Sequence, residues 1–484
     1  MSIPFTPLYI DGQYRPASTA ATFDVRNPYS NEIVSQASSA SSEDCANAVE
    51  AAARAFPAWE QTPAAARRDY LLKVADLLVT DKYREKVMLA MQEETAANGI
   101  MQGFNVYVAT IMIQEVATMI CDLKGETFPS GTPGGQVIVQ RRAQGVNFAI
   151  APWNAPLVLA IRAAAYPLIC GNTVVLKTSE VSPRTHQVVA EAFHEAGLPA
   201  GVLNFIHASR EDTPARVAQI IAHPAVRTIN FTGSDRVGKI IAGEAAKYLK
   251  PCVLELGGKA PAVVLEDADI AQAAKAITSS ALLHSGQICM STERVIVQRK
   301  VAASLTKALV EEFSKLKAGG PEEPLPAQFT EGCADNIVSM LRDARDNGAK
   351  FLLGDGTRKA AVVQPHIVTD VKPGTRLWER ESFGPVTIIT EVDTVDEAVE
   401  MANASEYTLV ASLWTKDVHK AMDVGMRIRA GNVSINGPTL HVEVSKDHGG
   451  LGGASGYGRF NVESFTDTRS VVFHPANPPP YPLV

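Results

Sequence analysis

The chain has 484 residues and a mass of 51.7 kDa, which is too long for one hydrophobic core and predicts two large domains. Its net charge of −7, without a run of lysine or arginine, argues against a nucleic-acid-binding protein. The first residues show no basic region followed by an apolar stretch, and the six cysteines are widely spaced without a CxxC pair. These features predict a cytoplasmic protein with reduced thiols, no metal site and no membrane contact.

Two kinds of secondary structure follow each other along the first half of the chain. Residues 41–120 predict helices, because apolar residues recur there at three- and four-residue spacing. From about residue 136, short β-rich runs alternate with helical stretches. The predicted strands are Val146–Ala151, Thr173–Lys177, Val202–Ile206, Thr228–Thr232 and Val253–Leu256. The predicted helices are Ala155–Gly171, Pro183–Ala196, Pro214–Ala222 and Val237–Tyr248.

A second alternating series occupies the remainder of the chain. Its predicted strands are Ala262–Leu265, Arg294–Gln298, Val386–Glu391 and Val433–Ile435. Its predicted helices lie near residues 270–284, 301–315, 333–347, 394–403 and 417–428. Such alternation predicts an α/β fold with parallel sheets and helices packed on their faces.

Cys289 is the first candidate for a catalytic group. Its neighbours Gly286, Gln287, Ile288 and Met290 include no second cysteine, so it belongs to neither a zinc site nor a dithiol motif. Two interpretations remain, a buried structural thiol and a nucleophile. The choice between them depends on which other groups accompany the thiol.

A carboxylate and an amide favour the nucleophile. Glu255 stands before a pair of glycines that allow a close backbone approach, and Asn154 ends an apolar run with an amide that can donate a hydrogen bond. A nucleophile, a carboxylate base and an oxyanion donor together are typical of acyl transfer. The alternative for Glu255 is a structural ion pair with Lys259, four residues further on.

A candidate anion site lies in the segment GSDRVGKI, although no GxGxxG motif follows a strand. This segment has the GxxxxGK spacing of a P-loop, but Ile240 stands where magnesium binding needs Ser or Thr, which argues against a kinase or NTPase. Gly233 and Ser234 precede a predicted helix whose free N–H groups favour an anion. Ser234 as a plain helix cap is equally compatible. Lys177 and Glu180 follow a predicted strand, at the edge where open α/β sheets bind ligands.

A series of short motifs runs through the chain: PWN at 152–154, KTSE at 177–180, FTGS at 231–234, ELGGK at 255–259, GQIC at 286–289, ESFGP at 381–385 and GNVSIN at 431–436. They occur in the order found in the aldehyde dehydrogenase superfamily, which the chain resembles over most of its length. The resemblance implies two doubly wound parallel-sheet domains, a Rossmann-like cofactor domain and a catalytic domain, plus a small β oligomerisation arm.

The same resemblance implies domain boundaries and an assembly state. The NAD-binding domain is expected at residues 1–126 and 143–256, and the catalytic domain at 257–440. Residues 127–142 and 462–484 are expected to form the arm, which pairs with another subunit in a homodimer or homotetramer.

The resemblance also implies a nicotinamide cofactor, NAD being favoured and NADP the alternative. The pyrophosphate is expected at Gly233 and Ser234, and the adenosine ribose at Lys177 and Glu180. A carboxylate facing the ribose 2′-hydroxyl would repel a 2′-phosphate, which favours NAD. Glu381 and Phe383 resemble the ligands of the nicotinamide ribose. Trp153 and Gly257 complete the expected cofactor contacts, while Thr178 replaces the proline usual in the family.

The implied chemistry is the oxidation of an aldehyde to a carboxylic acid. Cys289 forms a thiohemiacetal whose oxyanion is held by Asn154 and by the Cys289 backbone N–H, and Glu255 activates the water that hydrolyses the resulting thioester. Relatives that transfer the acyl group to coenzyme A generally lack this carboxylate, so Glu255 disfavours that alternative. A non-enzymatic use of the fold is disfavoured by the intact catalytic set.

The substrate is expected to be an aromatic aldehyde. Arg162 within PWNAPLVLAIRAAAYPL, together with the segment ending at His441, resembles the subgroup that oxidises salicylaldehyde, vanillin and benzaldehyde. Arg162 is expected to hydrogen-bond a ring oxygen. The expected apolar walls of the pocket are Val158, Leu159, Ile288 and Met290.

Three points remain open for the substrate. Arg162 could instead bind a carboxylated aliphatic semialdehyde, or serve as a structural arginine that satisfies backbone carbonyls. The family pattern PFGGxKxSG is replaced here by DHGGLGGASG at 447–456, without the Pro-Phe pair or the lysine. His448 therefore stands near the position where a phenylalanine normally lines the substrate channel, and it counts with His441 as a candidate contact.

Overall fold

A computed structural model of the chain describes residues 3–441 and 449–477. In chain order, the first part contains β1 (Phe5–Thr6), β2 (Leu8–Ile10), β3 (Gln13–Arg15), β4 (Thr22–Arg26), β5 (Ile33–Ser38), α1 (Ser42–Gln61), α2 (Ala64–Leu78), α3 (Asp81–Thr95), α4 (Gly99–Thr118), β6 (Glu126–Pro129), β7 (Gln136–Ala143), β8 (Val146–Ile150), α5 (Pro156–Ile169), β9 (Thr173–Lys177), α6 (Pro183–Glu195), β10 (Leu203–Ile206), α7 (Thr213–Ala222), β11 (Val226–Thr232), α8 (Asp235–Ala246) and β12 (Cys252–Glu255).

The second part contains β13 (Ala260–Val264), α9 (Ile270–Leu282), β14 (Thr292–Gln298), α10 (Arg299–Phe313), β15 (Ala318–Gly319), β16 (Leu325–Pro326), α11 (Glu331–Asp346), β17 (Lys350–Leu353), β18 (Arg358–Lys359), β19 (Val362–Val363), β20 (His366–Thr369), α12 (Arg376–Glu379), β21 (Val386–Val392), α13 (Val395–Asn403), β22 (Val410–Trp414), α14 (Val418–Arg427), β23 (Asn432–Ile435) and β24 (Thr466–Phe473). Short 3-10 turns lie at Met119–Asp122, Leu283–Gly286 and Gly453–Ser455.

The first large sheet has seven strands in the order β12-β11-β8-β9-β10-β2-β3. The first five are parallel, and β2 and β3 add an antiparallel edge. Successive residues of β9 face opposite cores: Val174 and Leu176 pack with α2, α4, α5 and α6, while Val175 packs with α1 and α7. A strand buried on both faces is continuously apolar, which explains the TVVL run of β9.

The second large sheet also has seven strands, in the order β17-β20-β21-β14-β13-β22-β23, and only β17 is antiparallel. Helices α9 and α10 cover one face, and α13 and α14 cover the other. The two doubly wound sheets predicted from strand–helix alternation are therefore confirmed. All strands of the first sheet lie within the ranges predicted for the nucleotide-binding domain, and all strands of the second within residues 257–440.

A third, three-stranded antiparallel sheet has the order β24-β7-β6, and apart from Glu126 and Ala143 it is formed by residues of the expected arm. Strand β24 pairs along its whole length with β7, from Thr466 opposite Ala143 to Phe473 opposite Gln136. Its apolar side chains Val471, Val472 and Phe473 are exposed, as is Phe128 of β6. The remainder of the predicted arm, residues 478–484, lies outside the described residues.

The register of the first sheet brings the ends of its strands to one edge. Ile150 of β8 is opposite Lys177 of β9 and Phe231 of β11, and Thr232 of β11 is opposite Glu255 of β12. Because parallel strands end at the same edge, the segments that follow them also meet there. These are the segments that carry most of the motifs singled out in the sequence.

The helical predictions were correct to within a few residues at most ends, whereas several strands were missed. The sequence predicted neither the N-terminal sheet β1-β5-β4 nor the inner strands β20 and β22. The missed strands are short, and their identity depends on partners far away in sequence. Within the stretch 41–120 that was predicted to be helical, α3 ends at Thr95, because Ala96 adopts a left-handed conformation (φ +51°), and α4 begins at Gly99.

Helix α4 and the turn after it form an apolar stretch, Gly99–Asp122, which is long enough to cross a membrane by length and composition. Half of this stretch is buried inside the protein. It packs against α2, α3 and α5, and Met101, Val108 and Met112 belong to the same hydrophobic core as those helices. In this fold α4 is a core helix.

A candidate active site at the edge of the first sheet

An apolar cavity of about 860 Å³, mouth included, lies between α4, α5 and the loop that carries Cys289. Three predicted catalytic groups line it: Cys289, Glu255 and Asn154. The cavity therefore brings together residues from the ends of β8 and β12 and from the second domain.

The loop before Cys289 has an unusual backbone. His284 and Ser285 are left-handed (φ +53° and +55°), and Gly286 follows with φ +75°. A Cβ on Gly286 would lie 2.1 Å from the carbonyl oxygen of Gly384, so only glycine fits there. Side-chain bonds hold the loop in place: Ser285 Oγ donates to the Pro326 carbonyl, and Gln287 Nε2 to the carbonyls of His284 and Ala327. Conformational strain of this kind is common at functional sites.

The side chain of Cys289 is partly buried. Burial raises its pKa from 9.0 to about 12, and the carboxylates of Glu381 and Glu255 add to the increase, while Arg162 opposes it. At neutral pH this thiol is therefore protonated, and thiolate formation needs a proton acceptor. Glu255, a carboxylate that lines the same cavity, is a candidate for this acceptor.

Asn154 is fixed next to the Cys289 loop. Its Nδ2 donates to the carbonyl oxygen of Gln287 at 3.1 Å, and the residue is 7% exposed. A carboxamide has two N–H donors, so the second one is left for an oxygen in the cavity. The preceding Trp153 stacks on Phe329 with a ring separation of 4.2 Å and meets the edge of Phe383 at 6.0 Å.

Glu255 is paired with Arg162 across the cavity wall. Arg162 Nη1 lies 3.3 Å from Glu255 Oε2, its Nη2 donates to Thr232 Oγ1 at 2.9 Å, and its guanidinium stacks on Phe460 at 4.5 Å. Burial raises the pKa of Glu255, and Arg162 and Arg459 oppose the increase. Burial favours the protonated form of Glu255, and the nearby cation favours the ionised form. A carboxylate with these two opposing effects is suited to accepting a proton.

The structure corrects two alternatives considered for these residues. Glu255 does not pair with Lys259, whose ammonium instead contacts Glu293 Oε2 at 2.6 Å. A four-residue spacing brings side chains together on a helix, but the residues between β12 and β13 are not helical. The alternative that Arg162 satisfies backbone carbonyls is also wrong, because its partners are a carboxylate and a hydroxyl.

The predicted pyrophosphate site lies at the start of α8. Ser234 caps this helix and accepts a hydrogen bond from Val237 N at 3.4 Å, so the plain capping role is present. Behind it, Gly233 packs on Phe231, whose ring would lie 2.4 Å from a Cβ on the glycine. The first N–H groups of a capped helix and its dipole favour an anion. This end of α8 fits a phosphate group.

Two carboxylates in the cofactor region are suited to ribose hydroxyls. Glu180 contacts Lys177 at 3.2 Å; burial would raise the pKa of Glu180, but the lysine and neighbouring donors offset this and lower it. Glu381 Oε1 accepts from Gly258 N at 2.9 Å, while a Cβ on Gly257 would lie 2.3 Å from Glu381 Oε2. Burial and the nearby Glu293 raise the pKa of Glu381 to about 8. These residues, with the α8 terminus, fit a dinucleotide.

The predicted substrate contacts mostly lie where expected. Val158, Leu159, Ile288 and Met290 line the cavity, as do Arg162 and His441. His448 lies outside the described residues. Within residues 3–441 and 449–477, no group of three or more His, Cys, Asp and Glu side chains is arranged to hold a metal ion.

Sequence analysis missed one wall of the cavity. Met101, Phe104, Val108 and Met112 of α4 line the cavity, as do Leu409, Val410 and Leu440. The α4 residues recur at three- and four-residue spacing, which is a detectable stripe on one helical face. The same stripe is typical of a core-facing helix, so spacing alone did not identify it as part of a pocket.

Comparison with known proteins agrees with the geometry. Residues 14–471 of the chain match a family model described as "Aldehyde dehydrogenase family". The vanillin dehydrogenase of Pseudomonas sp. (strain HR199 / DSM 7063) is 43% identical over 470 residues, 96% of each chain. The salicylaldehyde dehydrogenase of Pseudomonas putida is 38% identical over 478 residues, 97% of this chain and 98% of the relative.

A solved structure gives the same picture for the fold. The crystal structure of a salicylaldehyde dehydrogenase from Pseudomonas putida G7 complexed with salicylaldehyde matches with a TM-score of 0.96 and 38% identity. The match covers 99% of this chain and all of that chain. The protein is thus an oxidoreductase, and it belongs to the aldehyde dehydrogenase family. The cofactor of this family is NAD or NADP.

The close approach of Gly258 to the Cys289 loop provides a test of the site. A Cβ on Gly258 would lie 1.9 Å from the Cys289 carbonyl oxygen, so Gly258→Ala must displace the backbone of the cysteine. We expect the free energy of unfolding to fall by about 1–3 kcal/mol and aldehyde turnover to fall at least about tenfold. Gly103→Ala on α4, where nothing lies within 4 Å, is the control and should keep wild-type stability or exceed it. Equal behaviour of the two variants in chemical denaturation and turnover would contradict the prediction.

Proposed function

We propose that this protein oxidises an aromatic aldehyde to its carboxylic acid with NAD, through a thioester on Cys289. The observation that carries the proposal is the position of Cys289, Asn154 and Glu255 on the wall of one apolar cavity. Further support comes from the relatives, which are named as vanillin and salicylaldehyde dehydrogenases.

In the first half of the proposed reaction, Cys289 gives its proton to a base, either Glu255 or a water molecule, and the thiolate attacks the aldehyde carbon. The carbonyl oxygen becomes an oxyanion, which the free N–H of Asn154 and the backbone N–H of Cys289 stabilise. Losing such a donor costs roughly 3–4 kcal/mol in other enzymes. The nicotinamide, when bound, supplies the hydride acceptor that converts the thiohemiacetal into a thioester.

In the second half, Glu255 takes a proton from a water molecule that attacks the thioester carbon. The acid leaves, and Glu255 passes the proton that it took from water to the Cys289 thiolate, which restores the thiol. Arg162 keeps Glu255 oriented and favours its ionised form within a dry site. The presence of this carboxylate supports hydrolysis over transfer of the acyl group to coenzyme A.

We assign the ring-oxygen contact to Arg162. The guanidinium lines the cavity, and its Nε–H is buried with no hydrogen-bond partner in the part of the chain that the structure describes. A neutral hydroxyl or methoxy oxygen can accept from this donor. A substrate carboxylate would also approach Glu255, whose charge would repel it, so the pairing supports an aromatic aldehyde over a semialdehyde acid.

We assign the remaining roles from the cofactor region and the arm. Residues 1–126 and 143–256 bind NAD through Lys177, Glu180, Gly233 and Ser234, with Trp153, Gly257, Glu381 and Phe383 at the nicotinamide end. The charge retained by Glu180 supports NAD over NADP, because it would repel a 2′-phosphate. The exposed apolar face of the arm supports its pairing with another copy in a homodimer or homotetramer.

The direct experiment is an activity screen. The purified protein is incubated with NAD or NADP and a panel of aromatic, aliphatic and carboxylated aldehydes, with and without coenzyme A. We expect NADH and free acid from aromatic aldehydes, independent of coenzyme A. Acyl-coenzyme A as the product, or preference for short aliphatic or carboxylated aldehydes, would contradict the proposal.

The nucleophile is tested with Cys289→Ala. Turnover should fall more than about 100-fold, because loss of covalent catalysis exceeds the effect of a single proton-transfer group. NAD affinity, measured by tryptophan fluorescence, should be retained. The matched control is Cys121→Ala, which changes an exposed cysteine and should leave turnover unaltered. Residual turnover above about one per cent in Cys289→Ala would remove Cys289 as the nucleophile.

The role of the base is tested with Glu255→Gln in rapid-mixing experiments. If Glu255 acts mainly in thioester hydrolysis, a single burst of NADH survives while steady-state turnover falls about 100-fold or more. Loss of the burst would show that Glu255 also forms the thiolate. Glu266→Gln, which removes an exposed carboxylate paired with Lys300, is the control. A normal steady state in Glu255→Gln would exclude Glu255 from the mechanism.

Substrate recognition is tested with Arg162→Leu. Loss of a charge-assisted hydrogen bond of about 1.5–3 kcal/mol should lower kcat/KM for hydroxylated or methoxylated benzaldehydes roughly 10- to 150-fold more than for benzaldehyde. Because loss of the Glu255 contact affects all substrates alike, the ratio isolates the ring-oxygen contact. Thr232→Val removes the other partner but keeps the cation, so its ratio should stay at the wild-type value. An equal fall for both substrates in Arg162→Leu would mean that Arg162 acts only through Glu255.

A further inference from the structure

A second buried ion pair lies behind the cavity and has no role in the proposed chemistry. Lys259 Nζ contacts Glu293 Oε2 at 2.6 Å, and the two side chains are 0% and 3% exposed. Neither residue lines the cavity. Removing two charges from water is costly, and such a pair persists only where further hydrogen bonds satisfy it.

The carboxylate of Glu293 holds the backbone that follows Glu381. It accepts from Ser382 N at 2.8 and 3.0 Å and from Phe383 N at 3.2 Å. Phe383 is left-handed (φ +50°), a costly conformation for a residue with a large side chain. The two N–H bonds to a buried charge offset that cost and fix the direction in which the Glu381 side chain leaves the chain.

Lys259 helps to hold Glu381 from the other side, at the carboxyl group of that residue. It ends the turn whose Gly258 N–H donates to Glu381 Oε1 at 2.9 Å. The Lys259 carbonyl in turn accepts from the guanidinium of Arg294 at 2.9 Å, next to Glu293 on β14. Glu381 is therefore held at its carboxylate by the glycine turn and at its following backbone by Glu293.

We propose that Lys259 and Glu293 are positioning residues that fix Glu381 relative to Cys289, so that the ribose-binding carboxylate is preformed before the cofactor binds. The inference rests on the proposed role of Glu381 at the nicotinamide ribose. Both residues of the pair lie on segments close to the nucleophile. Glu293 is on β14, the strand that follows Cys289, and the turn that precedes Lys259 contacts the Cys289 carbonyl through Gly258.

The pair also sets the electrostatic environment of Glu381. The charged and titratable groups that face this carboxyl are Glu293, Lys259, Asp235 and the Cys289 thiol, together with the Tyr407 hydroxyl. Burial first and the Glu293 charge second raise the Glu381 pKa to about 8, and Lys259 opposes them. Replacing Glu293 with a neutral residue removes a charge that raises the pKa of Glu381. The pH at which Glu381 is half ionised therefore becomes lower.

The test uses Glu293→Gln and the double variant Lys259→Met/Glu293→Gln. The double variant keeps the side-chain volumes and leaves no lone buried charge, so it remains measurable if the single variant fails to fold. Lys300→Met with Glu266→Gln, which removes an exposed ion pair, is the matched control. All variants are compared as full-length protein.

Three readouts are compared. In the protein without cofactor, hydrogen exchange of the Ser382 and Phe383 amides should become at least about tenfold faster in the double variant. The NAD dissociation constant should rise about tenfold, and any change of NAD affinity with pH should shift its midpoint below about 8 in Glu293→Gln. Alkylation of Cys289 by iodoacetamide, measured in the same samples, should change less than the NAD affinity.

The outcomes separate this inference from the proposed function. Wild-type amide exchange and wild-type NAD affinity in the double variant would overturn the positioning role. A parallel loss of NAD affinity and Cys289 alkylation would also overturn it, because the pair would then act only on overall stability. Absence of aldehyde turnover in the wild-type protein would contradict the proposed function alone, since exchange and NAD binding do not depend on turnover.

Discussion

The backbone of Gly257 and Gly258 lies so close to two other segments that no side chain fits between them. A Cβ on Gly258 would meet the carbonyl of Cys289, and one on Gly257 would meet the carboxylate of Glu381. Glu255 stands just before this turn. One turn at the end of the first sheet therefore determines the separation of three groups that belong to different parts of the chain. Its position depends in turn on β12, which the register of the sheet holds beside β11.

Two buried ion pairs determine the electrostatics of this region. Glu255 with Arg162, and Glu293 with Lys259, are both nearly inaccessible to solvent. Groups in such a dry environment cannot turn to new partners without a large loss of solvation. The Glu255–Arg162 pair, whose charges both act on the Cys289 thiol, is therefore a fixed dipole that does not need to reorganise when charge develops on a substrate.

The architecture was predictable from the sequence, and so was the grouping of the candidate residues Cys289, Glu255 and Asn154, which line one cavity, because local patterns and short motifs indicate both. Alternating strands and helices predicted the two sheets, and the end of a predicted strand placed Lys177 and Glu180 at the ligand-binding edge. The partners of buried charges were not predictable in this way. Arg162 and Glu255 are far apart along the chain, and the spacing rule that suggested Lys259 as the partner holds only for helices. Short strands such as β20 were missed for the same reason, since their neighbours in space are remote in sequence.

Helix α4 has a consequence for how enzymes of this kind diversify. It supplies one wall of the cavity through Met101, Phe104, Val108 and Met112, yet it contributes none of the groups assigned to the chemistry. Methionine is unbranched and adapts its shape to what it packs against. Part of the pocket shape is thus encoded on an element that carries no reacting group. Substitutions along α4 can alter which molecules enter while the reacting groups stay unchanged, so new substrate ranges can evolve without a loss of catalysis along the way.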